Sequence, residues 1–186
     1  STRLTFGPKT KKFEAAFSKI IKSRYSMYVN SGSSANLLAL SVLTNPYFKN
    51  RLKPGDEVIV PALSWSTSVW PIIQCNLKPV FVDINKETMN IDVGKIEKAI
   101  TKRTKCILTI HTYGNAAEID KLLELKKKYG LFLIEDTCES LGTKFKKKYC
   151  GTFGDIGTYS FYFSHHLTTV EGGMMVTKNK EISNIA

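Results

Sequence analysis

Seven short runs, residues 27–29, 57–60, 79–82, 106–110, 131–135, 158–162 and 174–177, are rich in β-formers and mostly continuous in apolar residues. Strands that do not alternate apolar with polar side chains are strands covered on both faces, which is the pattern of a parallel sheet sandwiched by helices. Between them lie segments of helical spacing at 11–22, 34–43, 92–100 and 117–129. In the last, Ile119, Leu122, Leu123 and Leu125 form one face, and Lys121, Glu124, Lys127 and Lys128 form the other. The expectation is an α/β fold with a mostly parallel seven-stranded sheet flanked by helices. Only the loop 163–173 separates the last two runs, so an antiparallel edge is predicted there. With 186 residues, no internal repeat and no Pro/Ser-rich linker, one substantial domain is expected.

Composition narrows the class. Hydrophobic residues make up 42% of the chain and aromatics 11%, which argues against disorder. No run approaches the roughly 18 to 20 apolar residues of a membrane helix, so no membrane span is expected. Residues 1–12 are polar and basic with no apolar stretch, so no secretory signal is expected and a cytoplasmic location follows. Cys75, Cys106, Cys138 and Cys150 are spaced 31, 32 and 12 apart, which fits neither a metal clip nor a disulfide scaffold. The formal charge of +11 raises the question of nucleic acid, but 23 of the 27 basic residues are Lys, scattered along the chain, and 4 are Arg. No nucleic-acid partner is expected; an anionic small substrate suits the same charge.

In open parallel sheets, ligands sit beyond the carboxyl ends of the strands, so the loops there carry the chemistry. After the first run comes Asn30-Ser31-Gly32-Ser33-Ser34-Ala35-Asn36, leading into an apolar helix, a candidate phosphate cradle or a plain Ser-capped turn. After the fifth comes Glu135-Asp136-Thr137-Cys138-Glu139-Ser140, where a strand-end carboxylate calls for a cation, a protonated heterocycle or a capping role. After the sixth comes Ser160-Phe161-Tyr162-Phe163-Ser164-His165-His166, ending at Glu171-Gly172-Gly173. Neighbouring His side chains on a strand point to opposite faces, so at most one serves a site. The only other histidine is His111, so no metal site is expected.

These motifs in this order resemble the large domain of the fold-type I, vitamin B6-dependent sugar aminotransferases that act on nucleotide-linked ketosugars. The resemblance runs through Gly7-Pro8-Lys9 with Phe13-Glu14, residues 31–40, residues 55–61, residues 79–83, His111-Thr112-Tyr113-Gly114, Glu135-Asp136, Gly154-Asp155 and Ser160-Phe161 to Gly173. It implies a pyridoxal phosphate or pyridoxamine phosphate cofactor. Ser33, Ser34 and Ser160 correspond to its phosphate contacts, and Trp65 to the aromatic that stacks on its ring. Asp136 corresponds to the carboxylate paired with the ring nitrogen, a charge-assisted bond of about 1.5 to 3 kcal/mol, and Glu139 to a residue that orients the ring or His165. It also implies that residues 1–186 are a fragment of the cofactor-binding large domain, that the small C-terminal domain is absent, and that the site is built in a homodimer.

One departure redirects the reading. The aminotransferase motif is S-F-x-x-x-K, whose Lys holds the cofactor covalently; here that position is His165, although the chain has 23 lysines. The Ser-Phe-x-x-x-His-His pattern resembles the branch of ketosugar 3-dehydratases that make dideoxysugars for surface polysaccharide. The implied activity is C3 deoxygenation of a nucleotide-linked 4-keto-6-deoxyhexose, such as GDP-4-keto-6-deoxymannose, with His165 as acid and base, both roles open to an imidazole near neutral pH. L-glutamate re-aminates the cofactor in one known type, whereas an iron-sulfur protein of the family supplies electrons in the other. Cys138 falls where that second type has its first cluster cysteine. The glutamate-dependent type is the favoured reading. A pyridoxal-dependent sugar aminotransferase homologue and a binding protein of this fold without turnover are the alternatives.

Overall fold

The computed structural model describes residues 6–186, so the first five residues of the polar N-terminal stretch lie outside the described residues. Its elements are α1 (Pro8–Ile21), β1 (Tyr25–Val29), α2 (Gly32–Thr44), β2 (Glu57–Pro61), α3 (Ser66–Gln74), β3 (Lys78–Val82), α4 (Val93–Ala99), β4 (Thr104–Ile110), α5 (Ile119–Tyr129), β5 (Phe132–Asp136), the short strands β6 (Lys144–Phe145) and β7 (Lys148–Tyr149), β8 (Ile156–Ser160), β9 (Gly173–Thr177) and α6 (Lys180–Ile185). The expected seven runs form one seven-stranded sheet in the order β1-β9-β8-β5-β4-β2-β3. The pairs β2–β3, β2–β4, β4–β5 and β5–β8 are parallel.

The predicted antiparallel edge needs correction. β9 does pair antiparallel with β8, but it also pairs antiparallel with β1, so it is interior and β1 is the edge. The short 163–173 loop fixed the antiparallel pairing; it carried no information about the third strand. Five runs lengthen by one or two residues at one end, and two shift along the chain. β8 ends at Ser160, where 158–162 was expected, and β5 runs one residue later than expected, making Asp136 its last residue.

Side chains alternate across this sheet and divide the core. Val58, Val60, Cys106, Leu108 and Ile134 pack with Leu40 and Leu43 of α2, Ile72 of α3 and Ile182 of α6. Ile59, Ile107 and Leu133, from the same strands, pack with Val93 and Ile96 of α4 and Leu122 of α5. Tyr159, Phe161, Met174 and Val176 are covered by Phe17 and Ile21 of α1. The two faces seen on α5 in the sequence match this packing, since Leu122 is fully buried and Lys121, Lys127 and Lys128 are exposed. The parity matters for the site: residues aligned with Ile134 face α2 and α3, and residues aligned with Leu133 face α4 and α5.

Gly157 of β8 lies opposite Glu135 of β5 and lets the 150–154 loop close onto the sheet. A Cβ on Gly157 would lie 2.1 Å from the Gly151 carbonyl oxygen, a backbone atom that cannot rotate away. Gly157→Ala is therefore expected to destabilise the fold by about 3 kcal/mol or more in urea denaturation. Gly55→Ala, at a position with φ of +84° and open space around it, is expected to cost only the left-handed backbone strain of roughly 1 to 2 kcal/mol. Equal costs at the two positions would contradict the close approach.

Candidate active site

The sequence around residue 31 folds into a capped helix start. Ser31 is extended, with φ −162° and ψ 163°, and its Oγ accepts the Ser34 amide at 3.1 Å. The Ser31 hydroxyl in turn donates to Ser34 Oγ at 3.1 Å. The first-turn amides of Gly32 and Ser33 have no intrahelical acceptor, and the helix dipole adds positive potential there. Gly32 is required by close approach: a Cβ on it would lie 2.6 Å from Ser160 Cβ and 2.8 Å from Cys138 Sγ. Gly173 does the same from β9, where a Cβ would meet the Ser31 carbonyl oxygen at 2.2 Å. These two contacts seat the α2 N-terminus on the strand ends and bring Ser33 and Ser34 to Ser160.

Asp136 sits beside this corner and is buried. Its Oδ2 accepts from Asn36 Nδ2 at 2.8 Å and from the Ser68 hydroxyl at 2.9 Å; its Oδ1 accepts from the Cys138 amide at 3.1 Å. Three donors from α2, α3 and the following turn converge on one carboxylate. Asn36 is oriented by Thr158 of β8, whose hydroxyl donates to Asn36 Oδ1 at 2.6 Å. The Cys138 thiol is pushed up by burial and by the neighbouring Asp136 carboxylate, so it stays protonated and is no nucleophile near neutral pH.

The adjacent Glu135 points to the opposite face and is equally buried. It accepts the amides of Gly151, Phe153 and Gly154 at 2.8, 2.7 and 2.6 Å. His111 completes the set: its Nδ1 accepts the Ala117 amide at 3.0 Å, so Nε2 carries the proton and donates to Glu135 at 3.1 Å. His111 is thus a fully satisfied histidine within the fold.

A cleft of about 180 Å³ opens above Asp136, walled by Leu63, Trp65, Ser68, Tyr113, Cys138 and Glu139 among others. Trp65 precedes α3 and is 73% exposed at the cleft mouth. The Glu139 carboxylate accepts the Tyr113 amide at 3.2 Å, and Tyr113 takes a left-handed conformation at φ 52°. Glu139 makes no contact with His165. His165 lies in the turn after β8, where its amide donates to the Tyr162 carbonyl at 3.0 Å and its ring meets the Tyr162 edge at 6.2 Å. It is half-buried and does not wall the cleft, while His166 is exposed. Tyr162 links the turn to the cradle, its amide donating to Ser160 Oγ at 3.3 Å.

The structure therefore joins Ser33, Ser34, Ser160 and Asp136 in one corner, sets Trp65 and Glu139 on the cleft wall, and leaves His165 in the adjoining turn. Asn36, Ser68 and Tyr113 were missed by the sequence reading. The signal for Asn36 was available, as a lone amide amid Ala35, Leu37, Leu38 and Ala39; Ser68 and Tyr113 had none. No group of three or more His, Cys, Asp or Glu among the described residues could hold a metal ion. No helix among the described residues is long and apolar enough to cross a membrane.

A mostly parallel seven-stranded sheet flanked by helices in this order matches the fold of pyridoxal-phosphate-dependent aminotransferase-like proteins. The model of the DegT/DnrJ/EryC1/StrS aminotransferase family matches residues 1–186, and the chain belongs to that family. It is 43% identical over its whole length to GDP-4-keto-6-deoxy-D-mannose 3-dehydratase of Yersinia pseudotuberculosis, of which it covers 47%. It is 48% identical, over 98% of its length, to the lipopolysaccharide biosynthesis protein RfbH of Salmonella typhimurium, of which it covers 42%. A crystal structure of GDP-4-keto-6-deoxymannose-3-dehydratase with a trapped PLP-glutamate geminal diamine superposes with a TM-score of 0.92 at 43% identity, covering 96% of this chain and 46% of that one. The chain thus spans less than half the length of these relatives.

Glu135→Ala would leave three amides and the His111 Nε2 proton without an acceptor in a dry interior. The expected loss is about 3 kcal/mol or more, read as a lower urea midpoint. Exposed Glu87→Ala, as a control, is expected within about 0.5 kcal/mol of the wild type.

Proposed function

We propose that the full-length protein is a pyridoxamine-phosphate-dependent 3-dehydratase of a nucleotide-linked 4-keto-6-deoxyhexose, such as GDP-4-keto-6-deoxymannose, with L-glutamate as amino donor. In this reading residues 1–186 are part of the cofactor-binding large domain, and the protein works as a cytoplasmic homodimer in surface polysaccharide synthesis. The Yersinia relative is named for this reaction, the solved relative holds a PLP-glutamate adduct, and the Salmonella relative's name carries the polysaccharide context. The observation that carries the reading is His165: the turn that follows Ser160-Phe161 presents an imidazole where the aminotransferase motif presents its Lys.

The residues fit the cofactor. Gly32 lets the α2 N-terminus pack directly against Ser160 and Cys138, which sets the first-turn amides, Ser33 and Ser34 on the same corner as Ser160, a donor set that suits a phosphate dianion. Asp136 has two acceptor positions taken on Oδ2 and one on Oδ1, which leaves one position on Oδ1 for a protonated ring nitrogen. Trp65 offers an exposed aromatic face beside it. When bound, the cofactor supplies an amine for the 4-keto carbon and a ring that accepts an electron pair.

The chain's own work is then binding and proton transfer. The cradle fixes the phosphate, and Asp136 keeps the ring nitrogen protonated. Trp65 restricts the ring to one plane, and Glu139 holds Tyr113 at the mouth. His165 takes a proton as base and delivers one as acid to the departing C3 hydroxyl oxygen of the sugar. An imidazole performs both roles near neutral pH, and such a positioned group contributes about 10² to 10⁴ in rate.

The full-length protein, mixed with pyridoxal phosphate and L-glutamate, is expected to shift its absorbance toward the pyridoxamine band at roughly 330 nm. It should then form a 3-deoxy sugar from GDP-4-keto-6-deoxymannose. Borohydride should trap no lysine adduct. His165→Gln is expected to keep cofactor uptake and to lose about 10²- to 10⁴-fold in sugar turnover. A trapped lysine adduct, or an amino sugar as product, would return the protein to the aminotransferases.

A further inference from the structure

Asn36 is 2% exposed and Ser68 2% exposed, so neither reaches solvent. Each nevertheless spends its polar group on the same atom, Asp136 Oδ2. Asn36 has no freedom to do otherwise: Thr158 occupies its carbonyl oxygen at 2.6 Å, which turns the amide nitrogen toward Asp136. Thr158 lies opposite Asp136 in the β5–β8 register, so a relay from β8 through α2 returns to the strand next door. Burying an amide and two hydroxyls within an apolar helix layer costs stability unless every partner is met. Apolar side chains would fill that layer with less at stake. The polar set has a directional consequence: with Oδ2 saturated, the remaining acceptor position of Asp136 is on Oδ1, and Asp136 lines the cleft.

We propose that Asn36 and Ser68 are positioning residues that clamp Oδ2 of Asp136 and so aim Oδ1 at the ring nitrogen of the cofactor. The assignment rests on the pyridoxamine-phosphate reading of this site. Neither residue touches the reacting atoms. They act through Asp136, by holding its carboxylate in one orientation. Without them the carboxylate can rotate about its Cβ–Cγ bond and share its two oxygens between the ring nitrogen and the emptied pocket.

The test uses the full-length protein, pyridoxamine phosphate as probe, and the variants Asn36→Leu, Ser68→Ala and Asp136→Asn. Asn36→Leu keeps the branched four-heavy-atom skeleton, with bulkier methyl groups, and removes both hydrogen bonds; Ser68→Ala is the milder change if the first fails to fold. Cofactor affinity is expected to fall about tenfold or more in each variant, equivalent to roughly 1.4 kcal/mol. The absorption band of bound pyridoxal phosphate, which reports ring-nitrogen protonation, is expected to move in the direction seen for Asp136→Asn. A merely structural role would lower the melting temperature and leave that band in place. Wild-type affinity and an unmoved band in folded Asn36→Leu or Ser68→Ala overturn the proposal alone. Failure of the wild-type protein to take up the cofactor overturns the reading of the site, and the positioning role with it.

Discussion

Two carboxylates buried on consecutive residues of one strand govern this molecule. β5 ends in Glu135-Asp136, and the alternation of a strand sends one to each side of the sheet. Each would be prohibitive alone in an apolar interior, and each is met by three or more donors. The donors come from different elements: α2, α3 and the 137–138 turn for Asp136, and the 150–154 loop and the end of β4 for Glu135. Satisfying Glu135 therefore ties β4, β5 and the approach to β8 into one block. Satisfying Asp136 pulls two helices onto the other face. The site is the by-product of both.

Glycine sets the distances within that block. Gly157 and Gly154 admit the 150–154 loop to within hydrogen-bonding range of Glu135, the latter leaving only 2.4 Å between a notional Cβ and the Leu133 carbonyl oxygen. Gly32 and Gly173 lower α2 onto the strand ends, so its free amides open toward Ser160 and Cys138 instead of solvent. Cys138 spans the two halves of the site, its amide on Asp136 and its sulfur against the α2 start. Its thiol, raised by burial and the adjacent anion, serves as packing there.

Much of this was legible in the sequence, and the reason is burial. Strands covered on both faces leave continuous apolar runs, and all seven were visible for that reason. What failed was information that a run does not contain. The placement of β1 beyond β9 depends on a contact across roughly 150 residues. The β6–β7 hairpin was invisible because Lys146 and Lys147 occupy its turn at φ 45° and 67°, where Asn and Gly are the usual markers. Ser33, Ser34, Asp136 and Ser160 were singled out because small or acidic residues at strand ends are conspicuous and because the resemblance assigns them cofactor contacts. Ser68 was not, since a serine three residues into a helix reads as ordinary capping; only its distance to Asp136 gives it meaning. Glu139 was assigned by resemblance to the ring or to His165; its hydrogen bond to the Tyr113 amide was not legible in the sequence.

The groups assigned to cofactor and those assigned to proton transfer differ in how they are built. Asp136, Asn36, Ser68 and Thr158 are buried on regular elements and cross-linked by hydrogen bonds, so moving one disturbs several. His165 stands in a turn of mostly exposed residues, tied by its own amide to Tyr162, whose amide in turn donates to Ser160. A side chain so placed can be exchanged without repacking the sheet. Exchanging an amine for an imidazole at this one position removes the capacity for a covalent bond to the cofactor and adds a group that both accepts and donates a proton near neutral pH. Under the proposed function, the residues assigned to the cofactor phosphate and ring nitrogen are untouched by that exchange. On that reading one scaffold serves amino transfer or deoxygenation, with the choice made in the least constrained part of the site.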